Sequence, residues 1–140
     1  MFKTIPRKVS DYLRDKHRQI LNDYRDLEGK YREQCGYIAL DIAKLLLESG
    51  YRPYIMEAKQ EVQDNNFLKV IPLVPKIYKG RVKWSVHQVC CCKGLAFDPV
   101  IGKPVKISEY TKEIFGEKIP MEVVIPFERI EEFIERFRSN

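Results

Sequence analysis

Apolar residues recur through residues 10–33 at positions 12, 13, 20, 21, 24, 27 and 31, the spacing of an amphipathic helix. Ser10 is a good cap for its start, and Gly29 marks its expected end. Residues 35–49 are apolar nearly all round and run into Gly50, which predicts a central buried helix. "YRPYIMEA" then reads as a strand, "QEVQDNN" as a polar turn, and "FLKVIPLV" as an extended segment bent by Pro72. The strongest β pattern is "RVKWSVHQVCCCKGLAFDPV", two strands joined at Lys93-Gly94. "IGKPVKISEYTKEIFG" predicts a loop and a short helix capped by Ser108 and ended by Gly116. "IPMEVVIP" is a last strand, and "PFERIEEFIERFRSN" a closing helix with Phe127, Ile130, Phe133, Ile134 and Phe137 on one face. Helices flanking a run of antiparallel strands predict an α+β fold.

At 140 residues the chain is expected to be one domain, able to bury a core without disulfide or metal staples. It divides into an N-terminal helical segment (1–33), a core (34–105) and a C-terminal helix-strand-helix (106–140). The 44% hydrophobic and 32% charged composition describes a soluble globular chain, with no apolar run long enough for a membrane span. The opening "MFKTIPRKVSDYLRDKH" lacks a secretory apolar segment. The expectation is a cytoplasmic protein, or one delivered into a target-cell cytoplasm. The net charge of +5 is spread among interleaved acids and bases, with no basic block. That argues for solubility and a weak preference for acidic partners, and against nucleic-acid binding.

Three of the four cysteines, Cys90, Cys91 and Cys92, are consecutive. Neighbours on a strand point to opposite faces, so this run suits neither a disulfide framework nor a zinc knuckle. With only His17 and His87 to add, no metal site is expected. Cys35, by contrast, stands alone at the predicted start of the second helix. There the helix dipole favours a thiolate, and the Cys35 N–H is free to face an oxyanion. The competing reading is a small buried hydrophobe.

His87 lies in the first strand of the predicted hairpin, near Trp84. With Lys93 and Gly94 as turn residues, Cys92 pairs with Leu95, and counting back sets Val89 opposite Asp98. His87 and Asp98 are then diagonal neighbours on one sheet face. A carboxylate there fixes the imidazole's tautomer and stabilises its cation. A one-residue slip would send Asp98 to the other face. "FDPVIG" also reads as an ordinary strand-end turn.

The phrases "QCGYIALDIAKLLLESGYRPYI", "WSVHQV" and "GLAFDPVIGKPV" resemble the papain-like and transglutaminase-like superfamily. The nearest likeness is to papain-fold domains of bacterial polymorphic toxins, which include glutamine deamidases. The resemblance covers about residues 34–105. It implies a papain-like core with Cys35 as nucleophile, His87 as general base and acid, and Asp98 as the residue orienting His87. Papain-type peptidases carry an oxyanion Gln several residues before the Cys; the nearby candidate here, Gln34, is immediately adjacent, Trp84 is a candidate substrate contact, and no cofactor is expected. A protein glutamine side chain is the implied substrate, with an immunity or other binding protein as a further partner. The alternatives are a non-catalytic interaction module on the same fold and a cell-wall peptide amidase. The Ser-Cys-Trp phrase that follows the nucleophile in papain proteases is absent.

Overall fold

The computed structural model of the protein describes residues 4–23 and 30–138, with the side chains of residues 23, 30–34 and 138 outside that description. Two helices come first, α1 (Arg7–Asp23) and α2 (Lys30–Glu48). They are followed by β1 (Tyr54–Lys59), β2 (Glu61–Asp64), β3 (Phe67–Val70), a 3₁₀ turn (Lys76–Tyr78), β4 (Val86–Cys92), β5 (Leu95–Asp98) and β6 (Lys103–Lys106). The chain closes with α3 (Ile107–Phe115), β7 (Met121–Ile125) and α4 (Phe127–Arg138). The expected α+β class holds: an antiparallel sheet in the order β6-β5-β4-β1-β7 packs with four helices.

Both first helices begin earlier than the sequence pattern suggests. α1 starts behind Pro6, whose carbonyl accepts the N–H groups of Val9 and Ser10, so Ser10 lies inside the helix and does not cap it. α2 takes in Lys30–Gln34 ahead of Cys35, because Lys, Arg, Glu and Gln are strong helix formers and none of the five breaks a helix. Its other end matches expectation. Gly50 takes φ 87°, Tyr51 N–H donates to the Leu46 carbonyl and Gly50 N–H to that of Leu47. That is a Schellman stop, which a residue with a Cβ resists.

α2 packs on β4 and against α1 and α4. Its buried residues Ile38, Ala39, Leu40, Ile42, Ala43 and Leu46 lie on one side, whereas Tyr37 and Asp41 face outward. The helix is therefore buried along one side rather than all round. Cys35, three residues before Ile38, lies on the buried side.

β4 is the middle strand, flanked by β5 and β1. A strand covered on both faces has no polar side, so Cys90, Cys91 and Cys92 are all buried. The β4–β5 turn matches expectation, with Lys93 and Gly94 at φ 51° and 80° and Cys92 opposite Leu95. Two strands were not visible in the pattern. β2, in the expected polar turn, pairs with β3 in a separate hairpin whose residues are all exposed. β6 occupies the expected loop before α3, and Ser108 is not the cap, since α3 begins directly from Lys106.

Candidate active site

The β4–β5 register fixes the first half of the site. Cys90 faces Phe97, and continuing the ladder sets Asp98 diagonal to His87 on the same sheet face. The expected pair forms: His87 Nε2–H donates to Asp98 Oδ2 at 2.7 Å, with both side chains at most 1% exposed. A carboxylate only accepts, so this contact places the proton on Nε2 and leaves Nδ1 for a second partner. The two readings of "FDPVIG" turn out to be compatible, because Asp98 uses different oxygens for each. Oδ1 accepts the Val100 N–H at 2.9 Å in a strand-end turn, while Oδ2 serves His87.

That turn is held from outside by α1. His17 Nδ1 lies 2.9 Å from the Pro99 carbonyl oxygen, and a Cβ on Gly102 would come within 2.7 Å of the His17 ring. Gly102, at φ 89°, thus lets α1 press directly on the loop that aims Asp98. The second histidine of the chain has a structural task.

Tyr110 completes the carboxylate's surroundings. Its hydroxyl, fully buried on α3, donates to the same Asp98 Oδ2 that accepts from His87. Sequence reasoning missed this residue. The only available signal was an aromatic with a polar tip on the buried face of a short helix, which does not say where the tip points.

Trp84 stacks on the His87 imidazole at 4.4 Å and 16° between planes, and Phe115 meets both rings edge-on. At 1% exposure Trp84 is a wall behind the imidazole, not the expected substrate contact. Its backbone is fixed in turn by paired hydrogen bonds with Leu73. The side chain of Gln34 lies outside the described residues, so its expected oxyanion role has no geometry to support it.

Cys35 supplies the third member. Its sulfur lies close enough to the His87 imidazole for each group to shift the other's ionisation. The Gln88 backbone N–H also donates to the sulfur. The route to an activated thiol differs from the expected one. Cys35 is the sixth residue of α2, where the dipole's influence has faded and the Cys35 N–H belongs to the helix ladder.

The charges of the three groups are coupled. Burial alone would push the Cys35 thiol up, but the hydrogen bond and charge of His87, with the Gln88 N–H, hold it below its ordinary value. Burial alone would keep His87 neutral, yet the ionised Asp98 and the sulfur push it up to about 9. Asp98 is held down against its own burial by His87, Tyr110 and the Val100 N–H. These directions favour moving the thiol proton onto the imidazole, with the carboxylate backing the cation.

Cys35 is partly exposed, as a nucleophile must be, and the other three cysteines are buried. Among the described residues, no group of three or more His, Cys, Asp or Glu side chains is placed to hold a metal ion. Nor is any helix among them long and apolar enough to cross a membrane. Comparison of the chain with protein-family models, curated proteins and solved structures finds no match.

Proposed function

We propose that the chain is a cysteine-dependent acyl-transfer enzyme in which Cys35 is the nucleophile, His87 the proton carrier and Asp98 its orienting carboxylate. The observation that carries this reading is the shared imidazole. Its Nε2 is tied to a buried carboxylate, and the same ring makes the partly exposed Cys35 thiol easier to ionise than normal.

In this mechanism the Cys35 thiolate attacks a carboxamide carbonyl, and the carbonyl electron pair moves onto oxygen. As the tetrahedral adduct collapses, His87 gives its Nδ1 proton to the leaving nitrogen, releasing ammonia or an amine and leaving a thioester. Water then loses a proton to His87 and displaces the sulfur. Asp98 keeps the proton on Nε2 throughout, so that Nδ1 is always the exchanging atom. Trp84 and Phe115 hold the ring in one plane.

The finer reading, a papain-like toxin or effector that deamidates glutamine in a protein substrate, rests on the phrases around Cys35, His87 and Asp98. Incubating the protein with a glutamine-bearing protein such as casein, and following ammonia release, tests it. The expected result is release by the native chain and none by Cys35→Ala. Equal release by the two would remove Cys35 from the chemistry. Release of peptides without ammonia would mark a protease instead.

A further inference from the structure

The acyl-transfer mechanism requires a group that holds the oxyanion, and the Cys35 N–H is committed within α2. The candidate lies one residue beyond the base. Consecutive strand residues point to opposite faces, so His87 and Gln88 leave β4 in opposite directions. Both act on the Cys35 thiol, His87 through its side chain and Gln88 through its backbone N–H. One of the two thus carries the base, and the other faces the residue that follows the nucleophile.

The Gln88 carboxamide is also fixed rather than loose. Its Nε2 donates to Glu57 Oε2 at 3.3 Å, across the β1–β4 pairing that sets Glu57 directly opposite. Its Oε1 lies against the residue following the nucleophile, where a Cβ on Gly36 would come within 3.1 Å. Nε2 carries two N–H groups, and Glu57 takes one of them. We propose that Gln88 is the oxyanion-binding residue of this site, offering its backbone N–H and the second N–H of its carboxamide. The absence of a side chain at Gly36 leaves the carboxamide room to lie beside Cys35.

The proposal rests on the acyl-transfer reading, and two small reagents separate their fates. Iodoacetamide alkylates a thiolate at a saturated carbon and forms no oxyanion. p-Nitrophenyl acetate is attacked at its carbonyl: the C=O pair becomes an oxyanion, which re-forms the carbonyl as p-nitrophenolate leaves and the acetyl thioester of Cys35 remains. Gln88→Leu removes the carboxamide N–H and keeps the backbone one. Its acylation rate should fall at least 10-fold, toward the roughly 10²-fold that one oxyanion donor contributes to demanding substrates, with alkylation within about 2-fold of native.

Gly36→Ala keeps the glutamine but displaces its carboxamide, and alanine favours the helix, so folding is preserved. It should lose acylation about 3-fold or more by the same selective pattern. Native-like acylation in both variants, in a protein whose native form acylates rapidly, overturns the role of Gln88. If native Cys35 neither alkylates nor acylates faster than a free thiol, the acyl-transfer reading itself fails.

Discussion

Cys35 and the run Cys90–Cys92 are the same side chain placed in opposite surroundings. The three strand cysteines lie in the middle of the sheet, and burial pushes each of their thiols up. They behave as small hydrophobes. Cys35 is also largely enclosed, yet its thiol moves the other way, because His87 and the Gln88 N–H are aimed at it. Burial alone does not decide the character of a thiol. A directed cation backed by a carboxylate does.

The contrast is sharpest in reactivity. In the native protein, iodoacetamide at pH 7 should modify Cys35 at least about 10-fold faster than any of the other three, read by peptide mass mapping. In denaturant the four should converge. Modification of Cys91 at a rate similar to Cys35 in the folded chain would erase the distinction.

Asp98→Asn attacks the source of the difference. A carboxamide can present N–H to Nε2, which drives the ring proton to Nδ1 and leaves no base facing Cys35. Acyl transfer should fall about 10³-fold with the fold retained. A loss under 10-fold would mean that His87 does not need its carboxylate.

The same pair makes folding stability depend on pH, with two signs. His87 is pushed up from 6.5 to about 9, so its contribution is full below pH 6.5 and disappears as pH rises through about 9. Asp98 is held below 3.8, so its contribution is present above that value and lost as pH falls further. Urea midpoints should therefore peak between these limits and decline on both sides. His87→Gln should flatten the alkaline decline.

Tyr110→Phe is expected to have a smaller effect. It removes one hydrogen bond to a buried charge and costs about 1.5–3 kcal/mol, measured by urea unfolding. Smaller still is Cys90→Ala, which removes one buried sulfur from a well-packed strand and should cost about 1 kcal/mol.

What was legible in the sequence follows from how local each cue is. The β4–β5 register could be counted because Lys93-Gly94 is a two-residue turn, and that count placed Asp98 beside His87 correctly. The start of α2 could not be read from its apolar residues, since Lys30–Gln34 join the helix by propensity alone. With it went the idea that the helix dipole activates Cys35. β2 and β6 are short strands, one fully exposed and the other at the edge of the sheet, and neither carries an alternating pattern. Tyr110 reaches Asp98 only because α3 folds back against β5. Gln88 drew no notice because its role comes from what faces it across the strands. The Tyr12 hydroxyl donates to Asp41 at 2.9 Å, a link between α1 and α2 that no local pattern announces. Tyr24 lies outside the described residues, as does the Tyr31 side chain.

The most direct test of the coupled thiol is the pH dependence of its alkylation. Iodoacetamide rates at Cys35 should rise with a midpoint below the ordinary thiol value of 9.0, and His87→Ala should move that midpoint above it. A native midpoint at or above 9.0, or one that His87→Ala leaves in place, would contradict the imidazolium–thiolate pair on which the account stands.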